Sequence, residues 1–151
     1  MSRLRHIIIP DYPYMVTTVT AARFPFFTDP ADAQIVLDTI LHGRSLGWWK
    51  VIAFVVMPDH LHVMMIPAKK SISEGVKAIK GYSARLINAR RQCRGSLWQP
   101  GFFDYILDSE DKILSRIAYI ENNPVRSGLV AYPEEYIFSS ASWVEKMDRM
   151  F

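Results

Sequence analysis

Two histidines separated by one residue, His60 and His62, are the first candidates for chemistry in this chain. The Pro58-Asp59 pair before them is typical of a tight turn, because proline presets φ and aspartate bonds to its own backbone. The histidines should therefore begin a strand that leaves a β-hairpin, and alternation places both imidazoles on one face, about 7 Å apart. Two neutral imidazoles at that spacing can bind one divalent cation if a third ligand comes from elsewhere. The alternative is a pair of histidines held by hydrogen bonds on a half-buried sheet face.

A tyrosine and an asparagine on a predicted helix supply the other candidates. Ser109 is a suitable N-cap for this helix, which is predicted to run to residue 122 and to be ended by Pro124. At about 100° per residue, Tyr119 lies on the side opposite the apolar stripe, and Asn123 follows one turn later on the same face. That face also carries Lys112, Ser115 and Arg116.

Together these two groups could cleave a phosphodiester. The predicted ligands of one cation are His60, His62 and Asn123. The bound cation would polarise the phosphate, and Tyr119 would attack phosphorus as the nucleophile. Lys112 and Arg116 would favour the phenolate form of the tyrosine. An amide oxygen and open positions for phosphate suit Mg²⁺ or Mn²⁺ better than a structural zinc. The alternative is an exposed surface tyrosine beside an asparagine that caps the helix.

Composition indicates one domain over residues 1–151. Half of the 151 residues are hydrophobic and 13% are aromatic, enough for a substantial core. The single Cys93 excludes an internal disulfide and a cysteine-based zinc site, which fits a reducing compartment. No apolar run approaches the roughly 20 residues needed to span a bilayer. We therefore expect a soluble, cytoplasmic protein that has no membrane partner.

Positive charge is concentrated in one segment. Residues 69–94 contain eight lysines and arginines and one glutamate, so this segment carries +7 and the rest of the chain −4. Such an excess favours a nucleic-acid partner, whereas a solvated helix face is the alternative. The predicted DNA contacts are Arg3, Arg5, Lys77, Lys80, Arg85, Arg90, Arg91, Lys112 and Arg116. Trp98, together with Phe102 and Phe103, could stack unpaired bases.

The remaining pattern predicts the elements that must position these residues. Strands are expected at residues 14–22, 48–56, 60–66 and 102–107, because these runs are rich in β-branched and aromatic residues. Asp29-Pro30 should start a helix that runs up to Gly47, and Ser71 or Ser73 should cap a second one. The apolar stripe of the second helix is predicted to contain Ile72, Val76, Ile79, Leu86 and possibly Ser83. After the third helix, the tail from residue 125 has no clear period.

The order β-α-β-β-α-β followed by one more helix predicts an α+β fold of the ferredoxin-like type. In this fold an antiparallel sheet has two helices on one face, and its first and third strands are central. The histidine strand should therefore lie in the middle of the sheet. If Leu61, Val63 and Met65 face the first two helices, the histidines face the other side, and the third helix is the element available to cover them.

Two runs of residues resemble motifs of a known family. Met57-Pro58-Asp59-His60-Leu61-His62 resembles the His-hydrophobic-His motif of the HUH single-tyrosine transposases. The run Tyr-Ile-Glu-Asn-Asn-Pro-Val-Arg-Ser-Gly-Leu-Val, residues 119–130, resembles the tyrosine helix of their REP-associated tyrosine transposase (RAYT) branch. Residues 14–27, 97–99, 102–104 and 136–143 are similar to further segments of that branch, in the same order. The resemblance covers nearly the whole chain.

The resemblance implies a site-specific single-stranded DNA endonuclease and strand transferase that acts on hairpin DNA, either REP-like repeats or mobile-element ends. Tyr119 would take the 5′ phosphate and leave a free 3′ hydroxyl, with Mg²⁺ or Mn²⁺ and without ATP. By the same resemblance, His60, His62 and Asn123 would be the metal ligands. The chain departs from the family pattern at Pro100-Gly101, where a basic residue is frequent, and at Tyr105, where a histidine is frequent. These departures bear on substrate contacts.

Two other functions are compatible with the sequence. One is a module that binds hairpin DNA without cleaving it, and the other is an unrelated metal hydrolase in which the histidine pair activates water. The intact Tyr119 and Asn123 pair argues against the first. The basic segment, without another acid-base pair, argues against the second. A monomer and a homodimer are both compatible with the sequence, as is a tyrosine that acts within its own subunit or across a dimer.

Overall fold

The computed structural model describes residues 12–149, so the predicted DNA contacts Arg3 and Arg5 lie outside the described part. In this part, four strands are formed by Tyr14–Val19 (β1), Trp49–Met57 (β2), His60–Pro67 (β3) and Phe103–Ile106 (β4). Three α-helices are formed there by Pro30–Ser45 (α1), Ile72–Arg91 (α2) and Glu110–Arg126 (α3). No helix between residues 12 and 149 is long and apolar enough to cross a lipid bilayer.

The four strands form one antiparallel sheet in the order β2-β3-β1-β4. The histidine strand β3 therefore has a hydrogen-bonded neighbour on each side, as predicted. Its register with β1 places His62 opposite Thr17 and His60 opposite Val19. The mixed architecture of this sheet and three helices confirms the predicted α+β fold of the ferredoxin-like type.

Each face of the sheet packs against different helices. Leu61, Val63 and Met65 belong to the core that the sheet shares with α1 and α2. Met64 belongs to a second core on the opposite face, which contains three buried isoleucines of α3, namely Ile113, Ile117 and Ile120. The period-2 alternation of β3 therefore separates the two cores, and α3 covers the histidine face as predicted.

The three helices begin where the capping residues predict. The Asp29 carboxylate accepts a hydrogen bond from the Ala31 amide at the start of α1. Ser71, rather than Ser73, caps α2, and it forms a reciprocal capping box with Glu74. The Ser109 hydroxyl accepts from the amide of α3 at residue 112. Each side chain satisfies a backbone donor that has no partner within its helix.

The predicted bounds of two elements are wrong. β1 ends at Val19 and not at residue 22, because the Thr20 amide turns to the Asp59 carbonyl and Ala22 adopts a φ of 55°. α3 continues past Pro124 to Arg126. The proline is tolerated in the last turn, where the Ser127 amide closes the helix on the carbonyl of residue 123.

The buried stripe of α2 also differs from the prediction. Leu86 is exposed and Ile87 is fully buried instead, in line with the buried Val76, Ile79 and Ser83. Ser83 can occupy this apolar stripe because its hydroxyl donates to the Ile79 carbonyl. Because the stripe contains a polar residue, hydrophobicity alone does not predict which side of α2 is buried.

The C-terminal tail runs along the outer edge of β2. The Val56 amide donates to the Phe138 carbonyl, and the Phe54 amide donates to the Ser140 hydroxyl. Further along, the Asp148 amide donates to the Val51 carbonyl. The tail therefore satisfies backbone groups that an edge strand would otherwise leave unpaired.

Candidate active site

The histidine pair is held by its neighbours through one ring nitrogen each. The His62 Nδ1 lies 2.8 Å from the Thr17 hydroxyl oxygen, because β1 and β3 pair these residues directly. The His60 Nδ1 lies 2.7 Å from the Asp59 carboxylate. The two ring centroids are 4.8 Å apart. Neither Nε2 has a hydrogen-bond partner within residues 12–149, so both nitrogens are available to a ligand or cation.

His62 is neutral at physiological pH. Burial is the largest cause that lowers the pKa of His62, and together with the nearby charges of His60, Arg126 and Arg116 it brings this pKa from 6.5 to about 4. A neutral imidazole keeps its lone pair, which is the form that binds metal ions.

The tyrosine helix places Tyr119 beside this pair. The Tyr119 ring lies edge-on to the His62 ring, with 5.9 Å between the centroids. Tyr119 is 38% exposed and His62 is buried, so the tyrosine occupies the solvent side of the histidine. The structure therefore brings together the two groups that the sequence predicts to share a site.

Two arginines flank the Tyr119 ring. The guanidinium carbon of Arg116 lies 4.8 Å from the ring centroid, and that of Arg126 lies 4.4 Å from it. Arg126 also donates a hydrogen bond of 2.9 Å to the Tyr119 carbonyl. Arg126 was not among the predicted site residues, although its position seven residues after the tyrosine, two helical turns along the same face, is a usable signal.

Asn123 is a buried residue near the end of the same helix. Its side-chain oxygen has one long contact, 3.4 Å from the Ser127 hydroxyl. Among residues 12–149, no group of three or more histidine, cysteine, aspartate or glutamate side chains could hold a metal ion. A third protein ligand for a cation on the histidine pair would thus come from another residue type, and the amide oxygen of Asn123 remains the predicted one.

Three of the basic residues predicted to contact DNA lie on α2 and bind other parts of the protein. Lys80 donates to the carbonyls of Gln99 and Gly101, and burial lowers the pKa of Lys80. Arg90 is paired with Asp29 and Asp32, and Arg91 with Asp32. These side chains hold the packed elements together, and Lys77 and Arg85 remain exposed on the same helix.

The basic helix and the candidate site lie on opposite sides of the sheet. α2 packs on the core that contains Leu61 and Val63, whereas His62 is on the face covered by α3. Of the predicted contacts, only Lys112 and Arg116 belong to the helix that carries Tyr119. Lys112 is engaged in an exposed ion pair with Asp108.

The prediction that Trp98 stacks on DNA bases is wrong. Trp98 is buried, its indole N–H donates to the Ser83 hydroxyl, and its ring contacts Phe27. Phe102 also packs on this core. Phe103 is 75% exposed and is the aromatic residue of the three that is open to solvent.

An open cleft of about 550 Å³ lies between β4 and the first half of α3. The residues that line it are Tyr105, Ile106, Leu107, Asp111, Lys112, Ser115 and Arg116. Because Arg116 also contacts the Tyr119 ring, the cleft lies next to the candidate nucleophile.

The known proteins to which this chain is similar are transposases. A candidate REP-associated tyrosine transposase of Haemophilus influenzae is 20% identical to this chain over 103 residues. The aligned region covers 61% of this chain and 58% of the relative, so the chain matches less than two thirds of the relative's length.

Two solved structures have a similar fold. A REP-associated tyrosine transposase bound to a REP hairpin superimposes with a TM-score of 0.67 at 20% identity, over 87% of this chain and 78% of that one. A candidate transposase from Deinococcus radiodurans superimposes with a TM-score of 0.52 at 25% identity, over 74% of this chain and 90% of that one.

The sequence model of a protein family described as IS200-like transposases matches residues 9–123. The matched region includes the histidine pair, Tyr119 and Asn123, which confirms the resemblance seen in the two motifs. This chain belongs to the IS200-like transposase family.

Proposed function

We propose that this protein cleaves and rejoins single-stranded DNA at hairpin sites, with Tyr119 as the nucleophile. The observation that carries the proposal is the position of the Tyr119 ring, whose centroid lies 5.9 Å from that of the buried His62 ring and 4.8 and 4.4 Å from two guanidinium carbons. A tyrosine that only covered the surface would not require both a buried imidazole beside it and two cations against its ring.

In the proposed reaction, the Tyr119 oxygen attacks the phosphorus atom of one phosphodiester. The new bond joins the tyrosine oxygen to phosphorus, and the bond from phosphorus to the 3′ oxygen of the preceding nucleotide breaks. The phenol loses its proton and the departing 3′ oxygen gains one. A later attack by a 3′ hydroxyl reverses these steps and restores a phosphodiester, so joining requires no ATP.

Arg116 and Arg126 have a chemical role in this scheme. Their positive charges lie against the ring of the proposed nucleophile. The same charges stabilise the additional negative charge on the phosphate oxygens during attack. Both arginines contact the nucleophile itself, whereas Lys112 contacts Asp108.

The residues present fit a divalent cation held by His60, His62 and Asn123. Bound Mg²⁺ or Mn²⁺ would polarise the scissile phosphodiester and offset its charge. The low pKa of His62 keeps this ligand neutral, and the hydrogen bonds of Thr17 and Asp59 fix the orientation of the two rings.

Hairpin DNA is the proposed partner. A solved protein of similar fold binds a REP hairpin, and this chain has an excess of positive charge in residues 69–94. Lys77 and Arg85 are exposed members of that segment on α2 and are proposed to contact the DNA backbone. A cytoplasmic location follows from this substrate.

A covalent adduct is the direct test of the proposal. We would incubate the protein with Mn²⁺ and hairpin oligonucleotides that carry unpaired flanks, and then separate the products on a denaturing gel. A band of protein linked to the 5′ end of a DNA fragment, together with a free 3′ hydroxyl on the other fragment, is expected. Binding without any adduct would instead identify a non-cleaving hairpin-binding protein.

A further inference from the structure

The tyrosine helix covers only part of the histidine face. α3 lies mainly over β2 and β3, and the core beneath it is formed largely by these two strands. All four residues of β4 are exposed. Beside the candidate site this face is therefore open to solvent at β4, whereas on β1 Met15 is buried and Thr17 is partly buried.

Two aromatic side chains stand on the open part of this face. Phe103 lies opposite Thr17 on β1, and Tyr105 lies opposite Met15. Thr17 in turn lies opposite His62, so Phe103 shares the face of the histidine two strands away, about 10 Å from it. Phe103 and Tyr105 are 75% and 49% exposed. Alternate residues of a strand are about 6.8 Å apart, so the two rings project side by side.

The cleft between β4 and α3 connects the Tyr105 ring to the surroundings of the nucleophile. Tyr105 lines one wall of the cleft, and Lys112 and Arg116 line the wall formed by α3. Arg116 forms no ion pair within residues 12–149 and lies 4.8 Å from the Tyr119 ring. Lys112 has only its exposed pair with Asp108, and exposed pairs are weak enough to exchange for a phosphate.

We propose that these four residues form a binding site for the unpaired strand next to the scissile phosphate. Phe103 and Tyr105 would each stack on one of two successive bases, and Arg116 and Lys112 would hold the phosphate that enters the cleft. The site explains why a short exposed strand carries two aromatic rings near the cations of Lys112 and Arg116. We name Phe103, Tyr105, Lys112 and Arg116 the β4 platform. The inference rests on the proposed function in one respect, that DNA reaches Tyr119.

The test measures whether the loss of an aromatic ring and the loss of a DNA base affect binding independently, under conditions in which no cleavage takes place. Dissociation constants would be measured in EDTA for a single-stranded 12-mer and for a hairpin with unpaired flanks, with an abasic site placed at each unpaired position in turn. Tyr105→Ala and Phe103→Ala should each weaken binding roughly five- to fifty-fold. An abasic site under the corresponding ring should cost nothing further in the variant, because the stacking partner is already absent.

Conservative and distant variants serve as controls. Tyr105→Phe should restore binding, because the ring is retained. Tyr132→Ala, which removes an exposed aromatic ring from the segment after α3, should leave every dissociation constant unchanged. Arg116→Gln should flatten the salt dependence of binding by about 0.7 in a log-log plot.

The outcomes separate this inference from the proposed function. Coupling to the abasic positions without any covalent adduct would support the platform and overturn the cleavage proposal. The platform would be overturned if the wild type formed the adduct but an abasic site weakened binding equally in the wild type and in the two alanine variants. The platform would also be overturned if the alanine variants changed only the sedimentation coefficient of the protein, since β4 would then be a contact between copies of the chain.

Discussion

The Tyr119 ring lies edge-on to the His62 ring, with the buried histidine beneath and the partly exposed tyrosine toward solvent. Strand pairing fixes the histidine, whereas a helix from a later part of the chain carries the tyrosine. In the proposed reaction, a phosphodiester would therefore approach these two rings from the solvent side, where the tyrosine lies.

Replacement of the nucleophile should separate cleavage from binding. In Tyr119→Phe, cleavage and the covalent adduct should disappear, while the dissociation constant for hairpin DNA stays within about three-fold, because the hydroxyl is needed for attack but makes no hydrogen bond within residues 12–149. Denaturing gels and fluorescence anisotropy measure the two quantities. Tyr105→Phe is the matched control and should still form the adduct. An adduct that persists in Tyr119→Phe would assign the nucleophile to another residue.

Removal of a metal ligand should increase the concentration of metal needed for cleavage. His60→Ala, His62→Ala and Asn123→Ala should each lower the rate at least 100-fold at fixed Mn²⁺, because the cation supplies several kcal/mol of charge stabilisation. Thr17→Val, which removes the hydrogen bond to the His62 Nδ1, should weaken metal affinity roughly ten-fold. Metal titrations of the cleavage rate and circular dichroism check activity and fold.

The control for this series is His42→Ala, which removes an exposed histidine from α1 on the other side of the sheet. This variant should cleave like the wild type at every metal concentration. Full cleavage by the wild type in EDTA would contradict the assignment of all three ligands.

Stability should fall at acidic pH because of His62. The pKa of His62 is about 4 in the folded chain and 6.5 in the ordinary case, so between these values the unfolded chain binds a proton that the folded chain does not. The free energy of unfolding should therefore decrease as pH falls from 6.5 to 4, by about 3 kcal/mol from this group. Urea denaturation at pH 7, 5.5 and 4 without metal measures it.

In His62→Gln the free energy of unfolding should decrease less over the same pH range, since glutamine does not titrate. The comparison isolates His62 from the carboxylates, which titrate in both proteins. Equal losses in the wild type and His62→Gln would mean that the histidine is protonated without cost in the folded state.

The two classes of basic residue on α2 should respond differently to substitution. Lys77→Ala or Arg85→Ala should flatten the log-log salt dependence of hairpin binding by about 0.7, as expected for one lost phosphate contact on a single strand. Lys80→Ala should instead lower the melting temperature, because it removes hydrogen bonds to the carbonyls of Gln99 and Gly101. Salt series and thermal unfolding distinguish these effects. Unchanged salt slopes in both Lys77→Ala and Arg85→Ala would make α2 a solvated face.

The periods of strands and helices in the sequence correctly predicted which side of β3 and of α3 a residue occupies. Alternation in β3 predicted which residues face each core, and the helical period predicted that Tyr119 and Asn123 share one side of α3. Predictions from the sequence were wrong where a residue's surroundings depend on partners far away in the chain. Trp98 is buried because Ser83, fifteen residues earlier, accepts its indole N–H. Arg90 and Arg91 are engaged because α1 presents Asp29 and Asp32 to them, and no local period reveals such pairs.

The C-terminal tail has a consequence for the kinetics of cleavage. Glu121, two residues after the tyrosine, accepts hydrogen bonds from Ser140 and Arg149 of the tail that lines β2. In this structure the isoleucines of α3 pack on the sheet of the same chain. An exchange of α3 between two molecules would first have to break these contacts and bonds, so we predict that each chain uses its own tyrosine with its own histidines. The reaction should therefore be first order in protein, with a rate per molecule that is independent of dilution. Mixing Tyr119→Phe with His62→Ala should restore no activity, whereas helix exchange would restore part of it.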